Sequence, residues 1–204
     1  SGINREVHII NNAISLPQIR HFDSFPSKVQ DAINLLKSLK CSLLYIGTIS
    51  QWFDFKLICE ALDKKEDVQL VLIGPKDCDI PSHKQIHYIG SVERQYIYSL
   101  MEQASALVMP FIVNELIRSV NPVKMYEYIY MEKPIIAPHY GEMEKFLPYI
   151  NLYHDNDEFM SLVDQLSKSE LQISSEKGNE MKGFAEKNTW ESRYEEVKKI
   201  LFNV

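Results

Sequence analysis

Glycine is scarce, with seven in 204 residues. None builds the G-x-G-x-x-G turn of dinucleotide dehydrogenases, because Gly47-Thr48-Ile49-Ser50-Gln51-Trp52 carries one glycine, and a Rossmann oxidoreductase is disfavoured. The G-x-x-x-x-G-K-[ST] of P-loop enzymes and the G-x-S-x-G elbow of hydrolases are missing too. Cysteine is sparse: Cys41, Cys59 and Cys78 form no CxxC and leave an odd count. That argues against a disulfide framework and a zinc site and for a reducing compartment. Basic residues are outnumbered, 22 against 28 acidic, for a net charge of -6. No global field draws the chain to nucleic acid or an anionic membrane, so any phosphate site must be local. The longest apolar run, Ala106 to Val113, is broken by Pro110 and falls well short of the roughly 18 to 20 residues that span a bilayer. The expectation is a soluble, cytoplasmic chain without a signal peptide. Ser1-Gly2 reads as a tag scar or a cut from something longer.

What is present supports a sizeable core: 45% of residues are hydrophobic and 11% aromatic. Short aliphatic runs alternate with segments of helical period, the pattern of βαβ units. Strands are expected at Val7–Ile10, Ser42–Ile46, Val68–Ile73, Ile86–Ile89, Ala106–Met109, Pro134–Ala137 and Asn151–Tyr153. Helices are expected around Phe53 to Leu62, Tyr96 to Ala104, Glu158 to Leu166 (capped by Asp155 or Asn156) and Thr189 to Leu201. No repeat, low-complexity tract or linker divides residues 1–204, so one domain is expected, Rossmann-like, three-layered α/β/α, with a mainly parallel sheet. The terminal helix, 189–203, carries Trp190, Tyr194, Val197 and Leu201 on one stripe, to be packed on its own domain or on something absent.

Gly47, Gly74 and Gly90 each follow an expected strand, and Gly141 lies in the loop after another. Ligands of open α/β sheets bind at that carboxyl edge, where a residue without Cβ admits close approach, although glycine also simply suits tight turns. Two apparent metal motifs read otherwise. His83 and His87 fall across a turn and a strand instead of on a helix, and Asp77-Cys78-Asp79 reads as a polar turn. No metal site is assigned.

Asn121-Pro122 is a strong helix start, with asparagine as N-cap and proline at N1. The amides of Val123 and Lys124 would stand unpaired at the positive end of that helix beside the Lys124 ammonium, a ready site for phosphate. Glu127 follows three residues on, about 4.5 Å along the axis on nearly the same face. It could accept the hydroxyls of a ribose, or it could be one half of a surface ion pair with Lys124, and the sequence leaves both open.

Leu44-Tyr45-Ile46-Gly47-Thr48, Gln69 to Pro75, Ile86 to Val92, Ala106 to Phe111 and, above all, Asn121-Pro122-Val123-Lys124-Met125-Tyr126-Glu127-Tyr128 followed by Lys133-Pro134 resemble the C-terminal, donor-binding domain of GT-B glycosyltransferases. The likeness runs over roughly residues 7 to 200 and is nearest to bacterial polysaccharide and teichuronic-acid-type transferases, which often show a Trp-Phe-Asp like Trp52-Phe53-Asp54. The resemblance implies that Asn121, the Val123 and Lys124 amides and the Lys124 ammonium hold a donor pyrophosphate. It implies that Glu127 binds ribose, Ser91 and Val92 edge the base, Gly47 and Thr48 face the reacting centre, and Gly141 and Glu144 lie near the sugar. Arg118 is a candidate second phosphate cation. Many retaining members carry Glu-x7-Glu; here Ser119 stands eight before Glu127, Glu115 is the candidate replacement, and retention versus inversion stays open.

The family needs no cofactor beyond a nucleotide sugar donor, UDP-sugar being favoured and GDP-sugar the alternative. Two such domains total about 350 to 400 residues. The expected partners are therefore the nucleotide sugar and a missing N-terminal acceptor domain, with a homodimer through the terminal helix as an alternative. In the full-length protein, peripheral contact with the inner membrane face is expected. The rival reading is a non-catalytic nucleotide-binding or interaction module of the same fold.

Overall fold

The computed structural model describes residues 7–17 and 24–202. Six strands form one all-parallel sheet in the order β3-β2-β1-β4-β5-β6. They are β1 (Cys41–Ile46), β2 (Val68–Ile73), β3 (Ile86–Gly90), β4 (Ala106–Val108), β5 (Ile135–Pro138) and β6 (Asn151–Tyr153). Every residue of β1, β4 and β5 is buried, which is why these strands read as unbroken apolar runs instead of alternating ones. The chain moves outward from β1 to β3, crosses back, and moves out the other way from β4 to β6, so the direction of winding reverses between β1 and β4.

The helices are α1 (Ser27–Ser38), α2 (Phe55–Lys64), α3 (Arg94–Gln103), the short α4 (Glu115–Arg118), α5 (Val123–Tyr130), α6 (Asn156–Ser167), α7 (Ser175–Lys187) and α8 (Trp190–Phe202). A 3-10 turn spans Gly141–Phe146. Helix α1 packs on α3 and α5 on α7, while α2 packs on α6. With right-handed crossovers, these sets cover opposite faces of the sheet and enclose the core between them. Asp54, Asn114, Asp155 and Ser174 cap α2, α4, α6 and α7, each accepting the amide three residues on.

The structure differs from the expectations at one strand and adds two helices. The strand at Val7–Ile10 is irregular chain with exposed side chains, since among the described residues no neighbouring strand completes a ladder. Helix α1 escaped the reading although Val29, Ala32, Ile33 and Leu36 recur at helical spacing and are all buried. Helix α7 is fainter in sequence, holding Gly178 and Gly183 and burying only Gly178, Met181 and Ala185. Helix α8 buries no residue, and Trp190, Tyr194, Leu201 and Phe202 are exposed.

Candidate functional site

The reversal between β1 and β4 opens a crevice at the carboxyl ends of the strands, the general ligand position in such sheets. The loops that leave those ends are stitched together. Gly47 N–H donates to Ile73 O at 2.9 Å, and Gly74 N–H donates to Gly90 O at 3.1 Å. The loop after β1 then pairs with the loop after β2 through Ile49 N–H to Pro75 O at 2.9 Å. It also pairs with the loop after β4 through Asp54 N–H to Pro110 O at 2.8 Å and Ile112 N–H to Trp52 O at 2.7 Å. The Tyr45 hydroxyl donates to Thr48 O at 2.8 Å and fixes the turn.

This stitching changes the meaning of Gly74. A Cβ on Gly74 would lie 2.0 Å from Gly47 O, so the close approach that Gly74 permits is of protein backbone to protein backbone, with no ligand needed to account for it. Gly141 has no atom within 4 Å of where a Cβ would stand and opens directly onto solvent. Asp77 and Asp79 are exposed on a turn whose Asp77 N–H donates to Ile49 O at 3.1 Å.

Helix α5 starts at this edge, one residue later than Asn121-Pro122 suggests. Pro122, at φ -81 and ψ 100, is the N-cap instead of N1, and no side chain caps the helix. Asn121 is drawn away: its Nδ2 donates to Asn11 Oδ1 at 3.2 Å, its carbonyl accepts from Asn12 Nδ2 at 3.0 Å, and its Oδ1 is buried without a partner among the described residues. Asn11 in turn accepts at its carbonyl from Arg193 Nε at 3.1 Å and at Oδ1 from Lys145 Nζ at 3.2 Å. Asparagine here ties the amino-terminal segment to the site instead of closing the helix, leaving the first α5 amides to the positive end of the helix dipole.

Glu127 is buried, and each of its oxygens holds a cation. Lys124 Nζ donates to Oε2 at 2.8 Å and Arg94 Nη2 to Oε1 at 2.9 Å. The i, i+3 pair left open by the sequence therefore exists, but at a carboxylate that is 7% exposed and with a second cation from α3. A carboxylate so placed is paired at both oxygens and fixed in one orientation. Beside it, burial pushes the Tyr98 hydroxyl up to about 12, with the Glu127 charge adding to the shift.

Arg94 was not legible as a site residue, yet one signal was present. It is the first residue of α3, where a cation opposes the helix dipole and local structure gives no reason for it. Lys28 was missed as well; from α1 its Nζ donates to Ser91 O at 2.8 Å, tying down the turn of Ser91 and Val92 at the end of β3. Arg118 and Glu115, at the two ends of α4, are exposed, and neither bonds to Lys124 or Glu127 among the described residues. Glu144 Oε1 pairs with His139 Nε2 at 3.0 Å, and His139 stacks on His154 at 4.4 Å. Between the loops after β1 and β4, Tyr45, Thr48, Trp52, Phe111, Leu116, Ile117 and Val120 line an apolar cavity of about 340 Å³.

Tyr128, next to Glu127, explains how α5 is aimed. It is fully buried, and its hydroxyl accepts the last amide of β1, Ile46 N–H, at 3.0 Å. β4 is too short to reach that amide, pairing only Leu43 and Leu44 of β1. Tyr128→Phe strands a buried N–H, and a loss of about 1 to 3 kcal/mol is expected in urea unfolding; a variant as stable as the parent would show the bond idle.

An all-parallel sheet in this order matches the Rossmann-like fold found in one half of GT-B glycosyltransferases. A particular relative stands closer in sequence. TuaH of Bacillus subtilis (strain 168), named as a teichuronic acid biosynthesis glycosyltransferase, is 24% identical over 166 residues, 76% of this chain and 41% of the relative. No protein-family model matches. Among solved structures, Anabaena HepE in complex with UDP and glucose has a TM-score of 0.65 at 12% identity, over 89% of this chain and 53% of that one. The E. coli trehalose-6-phosphate structure bound with UDP-2-fluoro glucose gives 0.67 at 12%, over 89% and 48%. Sucrose-phosphate synthase from Thermosynechococcus elongatus gives 0.66 at 14%, over 86% and 48%. The chain thus spans about half the length of these relatives or less. No helix of the described residues is long and apolar enough to cross a membrane.

Proposed function

We propose that this chain is the donor-binding half of a glycosyltransferase that moves a sugar from a UDP-sugar to a polysaccharide or glycolipid acceptor. The observation that carries the reading is the uncapped start of α5 at the sheet reversal, with Lys124 one residue in and the buried Glu127 carboxylate one turn on. Departure of a nucleoside diphosphate builds negative charge on its terminal phosphate. The Val123 and Lys124 amides and the Lys124 ammonium meet that charge already oriented, and removing one such donor commonly costs about 3 kcal/mol of barrier. Glu127 takes the ribose, and Arg118, exposed at the end of a four-residue helix, supplies a second cation to the phosphates. Similarity to TuaH and the UDP present in two of the matched structures support this choice of chemistry and base.

The acceptor site belongs to a second domain, for which the length of the relatives leaves room. The exposed stripe of α8, Trp190, Tyr194 and Leu201, packs against it. The 204 residues alone therefore bind nucleotide without transferring sugar. Calorimetric titration with UDP, GDP, ADP and dTDP tests this directly, with UDP expected to bind tightest and sugar transfer from UDP-glucose to stay at background. Binding of none of the four, or robust transfer by this chain, sinks the proposal.

A further inference from the structure

The two cations on Glu127 are not equivalent. Lys124 belongs to the first turn of α5, whose free amides attract an anion. A diphosphate arriving there carries more charge than one carboxylate and competes for the same ammonium. Arg94 comes from α3, holds the other oxygen, and has no anion but Glu127 among its ion pairs in the described residues. If both cations left together, a carboxylate that is 7% exposed would stand buried and unpaired, which is strongly unfavourable.

We propose that Arg94 is a positioning residue for ribose recognition, holding the Glu127 carboxylate paired and in place while Lys124 turns from Oε2 to the diphosphate. The vacated Oε2 then accepts a ribose hydroxyl, so phosphate binding and ribose binding become one coupled exchange at a single carboxylate. This rests on Glu127 being the ribose residue, as proposed above. It explains why an arginine occupies the first position of α3, against the helix dipole, with a side chain that is 72% exposed and yet bonded to a buried oxygen.

The test compares UDP with 2′,3′-dideoxy-UDP, which keeps both phosphates and lacks both hydroxyls, by calorimetry on the parent chain, Arg94→Ala and Arg94→Lys. The parent is expected to prefer UDP by about tenfold or more, the range for hydrogen bonds to a charged group. In Arg94→Ala the preference is expected to fall below about threefold, and in Arg94→Lys to recover most of the way, because a lysine still neutralises Oε1. Because Arg94 is exposed, its replacement leaves the fold intact, which melting curves of all three proteins check. Equal weakening of both ligands in Arg94→Ala, with the preference kept, makes Arg94 a general phosphate attractor and overturns the inference alone. A parent chain that binds UDP without preferring it removes the ribose role of Glu127, and the inference with it.

Discussion

Lys124→Ala is expected to weaken UDP binding by about 10- to 100-fold, the loss of one or two charge-assisted hydrogen bonds to phosphate. Stability should change far less, because Arg94 Nη2 remains on Glu127 at 2.9 Å and keeps the buried carboxylate neutralised. The same variant should lose much of the salt dependence of binding, since a full charge is removed while the α5 amides, which bear only partial charge, stay in place. Calorimetry at two salt concentrations reads both effects. Affinity within about twofold of the parent would place the phosphates elsewhere, because an ammonium on the ligand cannot be that cheap to remove. The contrast between ligand affinity and melting temperature separates a binding lysine from one that merely neutralises Glu127.

Gly74→Ala is expected to be the most destabilising single methyl in the molecule. The new Cβ would stand 2.0 Å from Gly47 O, a backbone atom itself fixed by the hydrogen bond from Gly47 N–H to Ile73 O. Gly74 also has φ +139, a conformation that residues with a Cβ rarely adopt. Neither neighbour can swing aside as a side chain would, so a loss of about 3 kcal/mol or more follows. For a chain of this size that lowers the melting temperature by roughly 6 to 12 °C. Gly141→Ala is the control: nothing lies within 4 Å of its added methyl, and its melting curve should overlay the parent. A Gly74→Ala protein that melts with the parent would mean that the loops after β1 and β2 are not locked as the structure shows.

Legibility differed sharply between the sheet and the site. Strands β1, β2, β4 and β5 are buried on both faces, so their apolar runs stand out in the chain and their positions were readable to within a residue or two. Helix α8 was readable because its spacing is local; Ser192 N–H donates to Thr189 Oγ1 at 3.2 Å at its start. The start of α5 was misplaced by one residue because Asn121 is a good N-cap in isolation, and only the distant Asn11 draws its amide away. Lys124 and Glu127 were recognisable as a pair from their spacing, but no spacing announces Arg94, which lies 33 residues earlier.

By itself, then, the sequence determined the parallel α/β class, and its spacing placed Lys124 and Glu127 as a pair on one face of a helix. These rest on period, burial and residue type, which are local or summed along the chain. Tertiary structure alone decided that Glu127 is buried between two cations, that Gly74 is needed against Gly47, and that Tyr128 completes the end of β1. Each depends on elements far apart in the chain meeting within a few ångströms, and whether a carboxylate is screened by water or confined between two charges is settled only when they meet.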